Sequence, residues 1–291
     1  MKYCLTIISF LAGALSLNAQ SKALSVFIAP GISDLNYTLG GGTKKSNFGL
    51  QFGGDFRYGF TETLGIAAGL EFSLYNSSSR LDNLYTHNDA RDDTINFELR
   101  SRINGYTEKQ QIVFLQIPIM LNYVGQTSVP FYVSIGAKLG IPVISRFENS
   151  MTDIETSGYY EHEDKEYTGP EFLFRGFGKF TDRNFQNKLK LTPAVFLAAE
   201  TGVRLGNIYL GLYVDYGLIS IAQTSPKSFV EYNDTSEPPS FTVNSILEST
   251  YSDQNGIQQP FVEKAIPLSF GFKLRFALER GGSGFVDHID F

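Results

Sequence analysis

Residues 111–147 read QIVFLQIPIMLNYV (111–124), GQTS (125–128) and VPFYVSIGAKLGIPVISRF (129–147). In the first arm Val113, Leu115, Ile117, Ile119, Leu121 and Tyr123 share one parity. Phe114, Gln116, Pro118, Met120 and Asn122 share the other. In the second arm Phe131, Val133, Ile135, Ala137, Leu139, Ile141 and Val143 form an apolar row opposite Tyr132, Ser134, Gly136, Lys138, Gly140 and Pro142. Alternation with a period of two is a strand signal. Strands of soluble proteins average about five or six residues, whereas a tilted strand crosses a bilayer in roughly 9–11. The stretch therefore predicts a hairpin of two membrane-crossing strands.

Working outward, the chain has 291 residues, with 28 Gly, 25 Phe, 16 Tyr and no Trp. Its mean hydropathy is only −0.10, as expected where apolar and polar residues alternate and polar connections are added. A net charge of −6 argues against nucleic acid as a partner. Lys2 followed by an apolar run to Leu17 and small residues predicts a signal peptide over 1–19, cleaved near Ala19 or Gln20. The single cysteine, Cys4, lies within it, so the remaining domain, 20–291, is expected to form no disulfide.

Six further periodic segments flank the hairpin. Residues 24–39 are the weakest, with parity breaking near Ser33. Residues 48–60, 64–75, 111–124, 129–147, 193–205, 208–221 and 266–278 complete eight strands. The turns at 61–63, 125–128 and Gly206-Asn207 are short, and Gly-Asn is a hairpin-turn pair. The connections 76–108, 148–190 and 223–262 are about 30–40 residues each, longer than compact soluble domains use. They fall at every second connection, as in outer-membrane barrels with long extracellular loops and short periplasmic turns. The predicted fold is all-β: a closed, antiparallel, up-and-down transmembrane barrel of eight strands, with both termini periplasmic. Ten strands are the alternative, using 95–103 or 241–247.

The non-lipid parity carries Asp55, Arg57, Glu71, Lys138, Glu200, Arg204, Asp215, Lys273 and Arg275. An eight-stranded barrel is just wide enough for side chains to fill. Four acids and five bases facing inward predict a cross-paired plug rather than an open pore. Pro118, Pro142 and Pro267 fall within strands on this parity, and bulges are the expected accommodation.

FLQIPIMLNYV, PFYVSIGAKLGIPV and IYLGLYVDYGLISIAQ, with the NAQ ending of the leader, resemble the outer-membrane β-barrel domain family of Bacteroidota, which includes PorT-like and other small OmpA-like barrel proteins. The resemblance spans the chain apart from its long loops and implies architecture more than activity. The partners it implies are outer-membrane lipid and lipopolysaccharide, the barrel-assembly machinery during biogenesis, and an envelope or extracellular protein met by the loops.

Small barrels that modify lipid A are a competing class, as is a passive channel. An acyl-transfer site needs a base beside a nucleophile. His87 has Asp89, Asp92 and Asp93 nearby in sequence but no marked nucleophile; His162 and His288 are the other histidines. Glu161, Glu163, Asp164 and Glu166 lack a recognised cation-loop spacing. No catalytic residue, metal or cofactor is therefore expected. In 172–190, Arg175, Lys179, Arg183, Lys188 and Lys190 interleave with phenylalanines, suggesting either a contact with lipopolysaccharide phosphates or a hairpin that extends the barrel wall. The expected function is a structural, binding or assembly role played through the outer loops.

Overall fold

The computed structural model describes residues 21–39, 41–92, 95–222, 227–236, 240–252 and 257–281. The predicted signal peptide, Asp93 and His288 lie outside the described residues. The strands are β1 (Ser21–Asn36), β2 (Gly42–Gly59), β3 (Leu64–Leu81), β4 (Leu84–Asp92), β5 (Ile95–Asn104), β6 (Tyr106–Gly125), β7 (Phe131–Tyr160), β8 (Lys165–Tyr167) and β9 (Gly178–Lys188). They continue as β10 (Ala194–Leu205), β11 (Ile208–Gly217), β12 (Lys227–Ser228), β13 (Val230–Asn233), β14 (Ser240–Val243), β15 (Ser249–Ser252), β16 (Gln258–Pro260) and β17 (Ile266–Gly281).

Eight of these close a ring. β1 pairs with β17 and β2, then β2 with β3, β3 with β6, β6 with β7, β7 with β10, β10 with β11, and β11 with β17, all antiparallel. They are the eight wall strands the sequence predicts. The ten-strand alternative is not adopted: β5 pairs with β4 and the far part of β7, and of 241–247 only 241–243 are strand, in the short β14 that pairs with β13 outside the ring. At the Gly206-Asn207 turn only Gly206 has positive φ, +62°, the pattern of a two-residue II′ hairpin turn.

The outer face of the ring carries an exposed apolar belt. On β6 it runs from Val113 to Tyr123, with Ile117, Ile119 and Leu121 exposed. Eleven residues at about 3.3 Å each, tilted, span about the 25 Å of an outer-membrane barrel's apolar band.

Beyond the belt the strands continue, and there the structure corrects the sequence reading. The sequence reads as loops over 76–108 and 148–190, yet most of these residues are strands. β3 runs on to Leu81, β4 and β5 form a hairpin, β7 reaches Tyr160, and β9 pairs with β7 from Arg146 to Thr156. Outside the bilayer, water bathes the exterior, so apolar side chains turn inward. Leu81, Phe97, Leu99, Ile103, Phe147 and Ile154 are buried in one core. Parity on β1 does not break at Ser33: Ser33 and Leu35 are both buried, and only the chemistry of the inward face changes.

The prolines are accommodated in three ways, not one. Pro142 lies at a register shift opposite Val113 and Phe114, which turns both Val143 and Ile144 outward. Pro118 meets no bulge; it faces a gap in the pairing of β3 with β6, between Ala68–Ile119 and Glu71–Gln116. Pro267 lies beyond the last pairing of β11 with β17, Tyr216 with Leu268, so no ladder donor is required from it on that side.

Candidate functional site

Inside the belt, strand alternation aims the charged residues at one another. Lys138 Nζ, on β7, lies 2.6 Å from Glu71 Oε1 on β3 and 2.8 Å from Asp215 Oδ2 on β11. Gln51 on β2 donates to the same Asp215 oxygen at 2.6 Å. Glu200 on β10 accepts from Lys273 and, at 2.9 Å, from Arg275 Nη2, both on β17. Arg275 Nε lies 3.0 Å from Asp55 Oδ2 on β2, and Arg57 Nε donates to Asp55 Oδ1 at 3.1 Å. Ser25 also donates to Asp55. Arg204 lies nearer the short turns, where its Nε donates to the Gly206 carbonyl and its guanidinium lies over Tyr209.

In the ring order β3 and β11 stand diametrically opposite, as do β2 and β10. Lys138 thus ties one opposite pair of walls together, and Arg275 ties the other. The space among Asp55, Glu71, Met120, Glu200 and Lys273 is about 10 Å³, room for about one water. Close approach needs bare backbone in places: a Cβ on Gly211 would fall 2.3 Å from Tyr132 Oη, and one on Gly31 2.6 Å from Tyr213 Oη.

Above the charges, Tyr75, Phe114 and Phe196 form an aromatic layer with ring centroids 5.5–5.9 Å apart. Tyr75 Oη is 3.2 Å from Ser269 Oγ, which ties the layer to the polar lumen. Below the charges, Tyr132 and Tyr209 stack edge to face at 5.5 Å, with Arg57 over the Tyr209 ring.

The outer chamber is occupied by the chain itself. Val243 to Thr250 are all buried, and Phe229, Ile246, Leu247 and Phe261 join the outer core. The anchor is Glu108, fully buried at the outer end of β6. Its Oε1 accepts from Ser245 Oγ at 2.6 Å and Gln110 Nε2 at 2.7 Å; its Oε2 accepts from the Ile246 amide at 3.1 Å and from Tyr106 Oη. Asn149 Nδ2 donates to the Val243 carbonyl at 2.9 Å. Burial pushes the Glu108 carboxyl above the ordinary carboxylate range, although these donors oppose the shift. Burial also raises the nearby Tyr37 phenol to about 12. The polar run ending at Glu108 does not distinguish it from its neighbours in sequence. The one available cue is the apolar pair Ile246-Leu247 within a polar connection.

The basic segment has its own placement. Lys188 pairs with Arg146, just past the belt, and Lys190 follows it; both are exposed. Lys179 lies nine residues back along β9, roughly 30 Å further out, 3.8 Å from Asp153. Arg175 lies 3.2 Å from Asp92, and Arg183 lies over the Phe180 ring. His87, which the sequence reads as a loop residue, lies on β4, 3.6 Å from Glu98. Around the 161–163 turn, Asp164 accepts from Tyr159 and Glu166 pairs with Arg100. Among the described residues no three His, Cys, Asp or Glu side chains converge as metal ligands.

A ring of eight antiparallel strands, apolar outside and ion-paired within, defines the class: a transmembrane β-barrel. The chain belongs to the outer membrane protein beta-barrel domain family, whose model matches residues 14–223, and an outer-membrane location follows. No curated protein sequence matches. Similar solved structures include Neisserial surface protein A, at 12% identity and a TM-score of 0.33, covering 88% of this chain and 97% of that one. Another is Ail, the attachment invasion locus protein of Yersinia pestis, solved with the heparin analogue sucrose octasulfate, at 8% identity and a TM-score of 0.30, covering 90% and 98%.

Proposed function

We propose that this protein is a sealed outer-membrane barrel whose role is structural, binding or assembly-related and is carried by its folded outer region. Both termini face the periplasm. The observation that carries this reading is the cross-wall bridging by Lys138 and Arg275, which fills the lumen where a channel needs water. An aromatic layer and the inserted 243–250 segment lie over it. The connections 76–108 and 148–190 build a strand-paired surface beyond the belt, suited to holding an envelope or extracellular protein. His87 beside Glu98 gives lipid A chemistry no particular support. The motifs that resemble PorT-like barrels of Bacteroidota agree with this reading, and the barrel-assembly machinery is the partner expected during biogenesis.

Surface crosslinking with mass spectrometry, on intact cells expressing the tagged barrel, is expected to capture a protein partner at 84–104 or 146–188. Crosslinks confined to the short turns, with none at the outer strands, would contradict the reading.

A further inference from the structure

One strip of the outer surface has a charge and position that the plug and the outer core do not explain. Gln111 on β6 and Arg146 on β7 are paired, and they are the first polar pair beyond Val113 and Ile144, where the apolar belt ends. The register continues sideways: Asn76 with Gln111, Gln111 with Arg146, and Arg146 with Lys188. One pair further out runs Lys45 with Ser78, Ser78 with Lys109, Lys109 with Glu148, and Glu148 with Gln186. Directly paired residues share a face, and Lys45, Lys109, Arg146 and Lys188 are all exposed. Five strands at about 4.8 Å spacing make the strip about 20 Å wide.

The strip holds four cations against the single carboxylate of Glu148, on a chain whose net charge is −6. Other outer cations are already engaged: Lys44 with Asp34, Arg100 with Glu98, Arg175 with Asp92 and Lys179 with Asp153. Among the described residues, no carboxylate lies within ion-pair distance of the four in the strip. Arg146 is instead oriented by a neutral group, Nε donating to Gln111 Oε1 at 2.6 Å, which leaves its Nη groups for another acceptor. Between Lys109 and Arg146 the surface is concave, about 510 Å³, and is lined also by Asn76, Ser78, Gln111, Glu148 and Gln186; Lys45 and Lys188 lie beside it on the flanking strands.

We propose that this strip binds the phosphorylated sugar headgroup of a glycolipid in the outer leaflet. The belt edge puts the cations at the depth of lipid headgroups, where each Lys or Arg adds attraction to anionic lipid. Guanidinium and ammonium groups match phosphate, and the intervening amides and hydroxyls match sugar hydroxyls. A soluble protein partner would not need the cations lined along the belt. The site rests on the long-connection end of the barrel facing outward, as in the proposed function. It also moves the lipid contact away from Lys179, roughly 30 Å beyond the belt, and from Arg175, which is engaged with Asp92, and retains only Lys188 from that segment.

The test uses the full-length barrel in phosphatidylcholine vesicles carrying either diphosphoryl lipid A or the same lipid dephosphorylated. Retained lipid is measured by native mass spectrometry. The native barrel is expected to retain the diphosphoryl form. The variant Lys45→Gln/Lys109→Gln/Arg146→Gln/Lys188→Gln is expected to hold it at least about tenfold more weakly, while Arg175→Gln/Lys179→Gln holds it as the native protein does. All four positions are exposed, and circular dichroism with heat-dependent gel migration confirms that the variant is folded; Arg146→Lys, which preserves the charge, is expected to retain the lipid. Equal retention by the fourfold variant, or equal retention of dephosphorylated lipid, overturns the site. Displacement of the lipid by inorganic phosphate at matching concentration would make it a free-phosphate site and overturn the glycolipid assignment. A tag inserted at the Asp164 turn, read by antibody on intact cells, tests the orientation separately. If the tag cannot be read there, the outward orientation itself fails.

Discussion

Lys138 is the residue on which the lumen turns, because among the described residues it alone bridges Glu71 and Asp215 from opposite walls. Removing one partner from a buried ion cluster leaves uncompensated charge at about 3–5 kcal/mol. Lys138→Met is therefore expected to destabilise the barrel by about that amount, measured by urea unfolding in lipid vesicles. Its inward direction can be read from alternation within 131–143; its two partners cannot, since they lie 67 and 77 residues away in sequence. Glu108 makes the complementary case. Its folded carboxyl titrates above the ordinary value of 4.5 because it is buried, so the folded state binds more protons between those two values. Stability of the docked segment is then fully present below the ordinary value and falls as pH rises towards and through the folded one. Hydrogen exchange of the Ser245–Ser249 amides is expected to speed up with pH beyond its intrinsic increase. Glu108→Gln should remove that extra dependence while keeping the segment docked. The facing phenols of Tyr37 and Tyr106 are also raised by burial and stay protonated throughout this range.

At the scale of the element, the long wall strands β3, β6 and β7 are each two amphipathic strands of opposite sense joined end to end. β7 shows this within one stretch: Ile135, Leu139 and Ile141 are exposed to the belt, while Phe147, Met151 and Ile154 are buried beyond it. The bulge beside Pro142 adds a further shift of phase between the two halves. A reader following one parity through 131–160 therefore loses the strand at the bilayer edge, although the backbone continues. The two halves should respond oppositely to the same change. Leu139→Arg, paired with Ile117 near the middle of the belt, is expected to cost roughly 2–4 kcal/mol. Ser150→Arg, on the water-facing side beyond the belt, should stay within about 0.5 kcal/mol, as surface substitutions do. Unfolding titrations of the two variants in the same vesicles provide the comparison.

For the whole molecule, closure is achieved at three levels: ion pairs, the aromatic layer of Tyr75, Phe114 and Phe196, and the segment bound to Glu108. Planar-bilayer recording of the native barrel is expected to show no steady conductance. Replacing 240–252 by a short Gly-Ser linker should leave it closed, because the lower two levels remain; an open channel in that variant would show that the inserted segment is the seal. The sequence by itself determined the eight wall strands, the apolar belt, the inward charges and the sorting of short and long connections. These are consequences of period-two alternation against a lipid exterior, and neighbouring residues suffice to show them. Only the tertiary structure decided which charges meet across the lumen, that the connections 76–108 and 148–190 are mostly strand, and that Glu108 receives residues 245–246. It also gathered Lys45, Lys109, Arg146 and Lys188 into one strip. Each of these depends on register between strands distant in the chain, and beyond the bilayer edge the exchange of lipid for water reverses the pattern by which the strands are recognised.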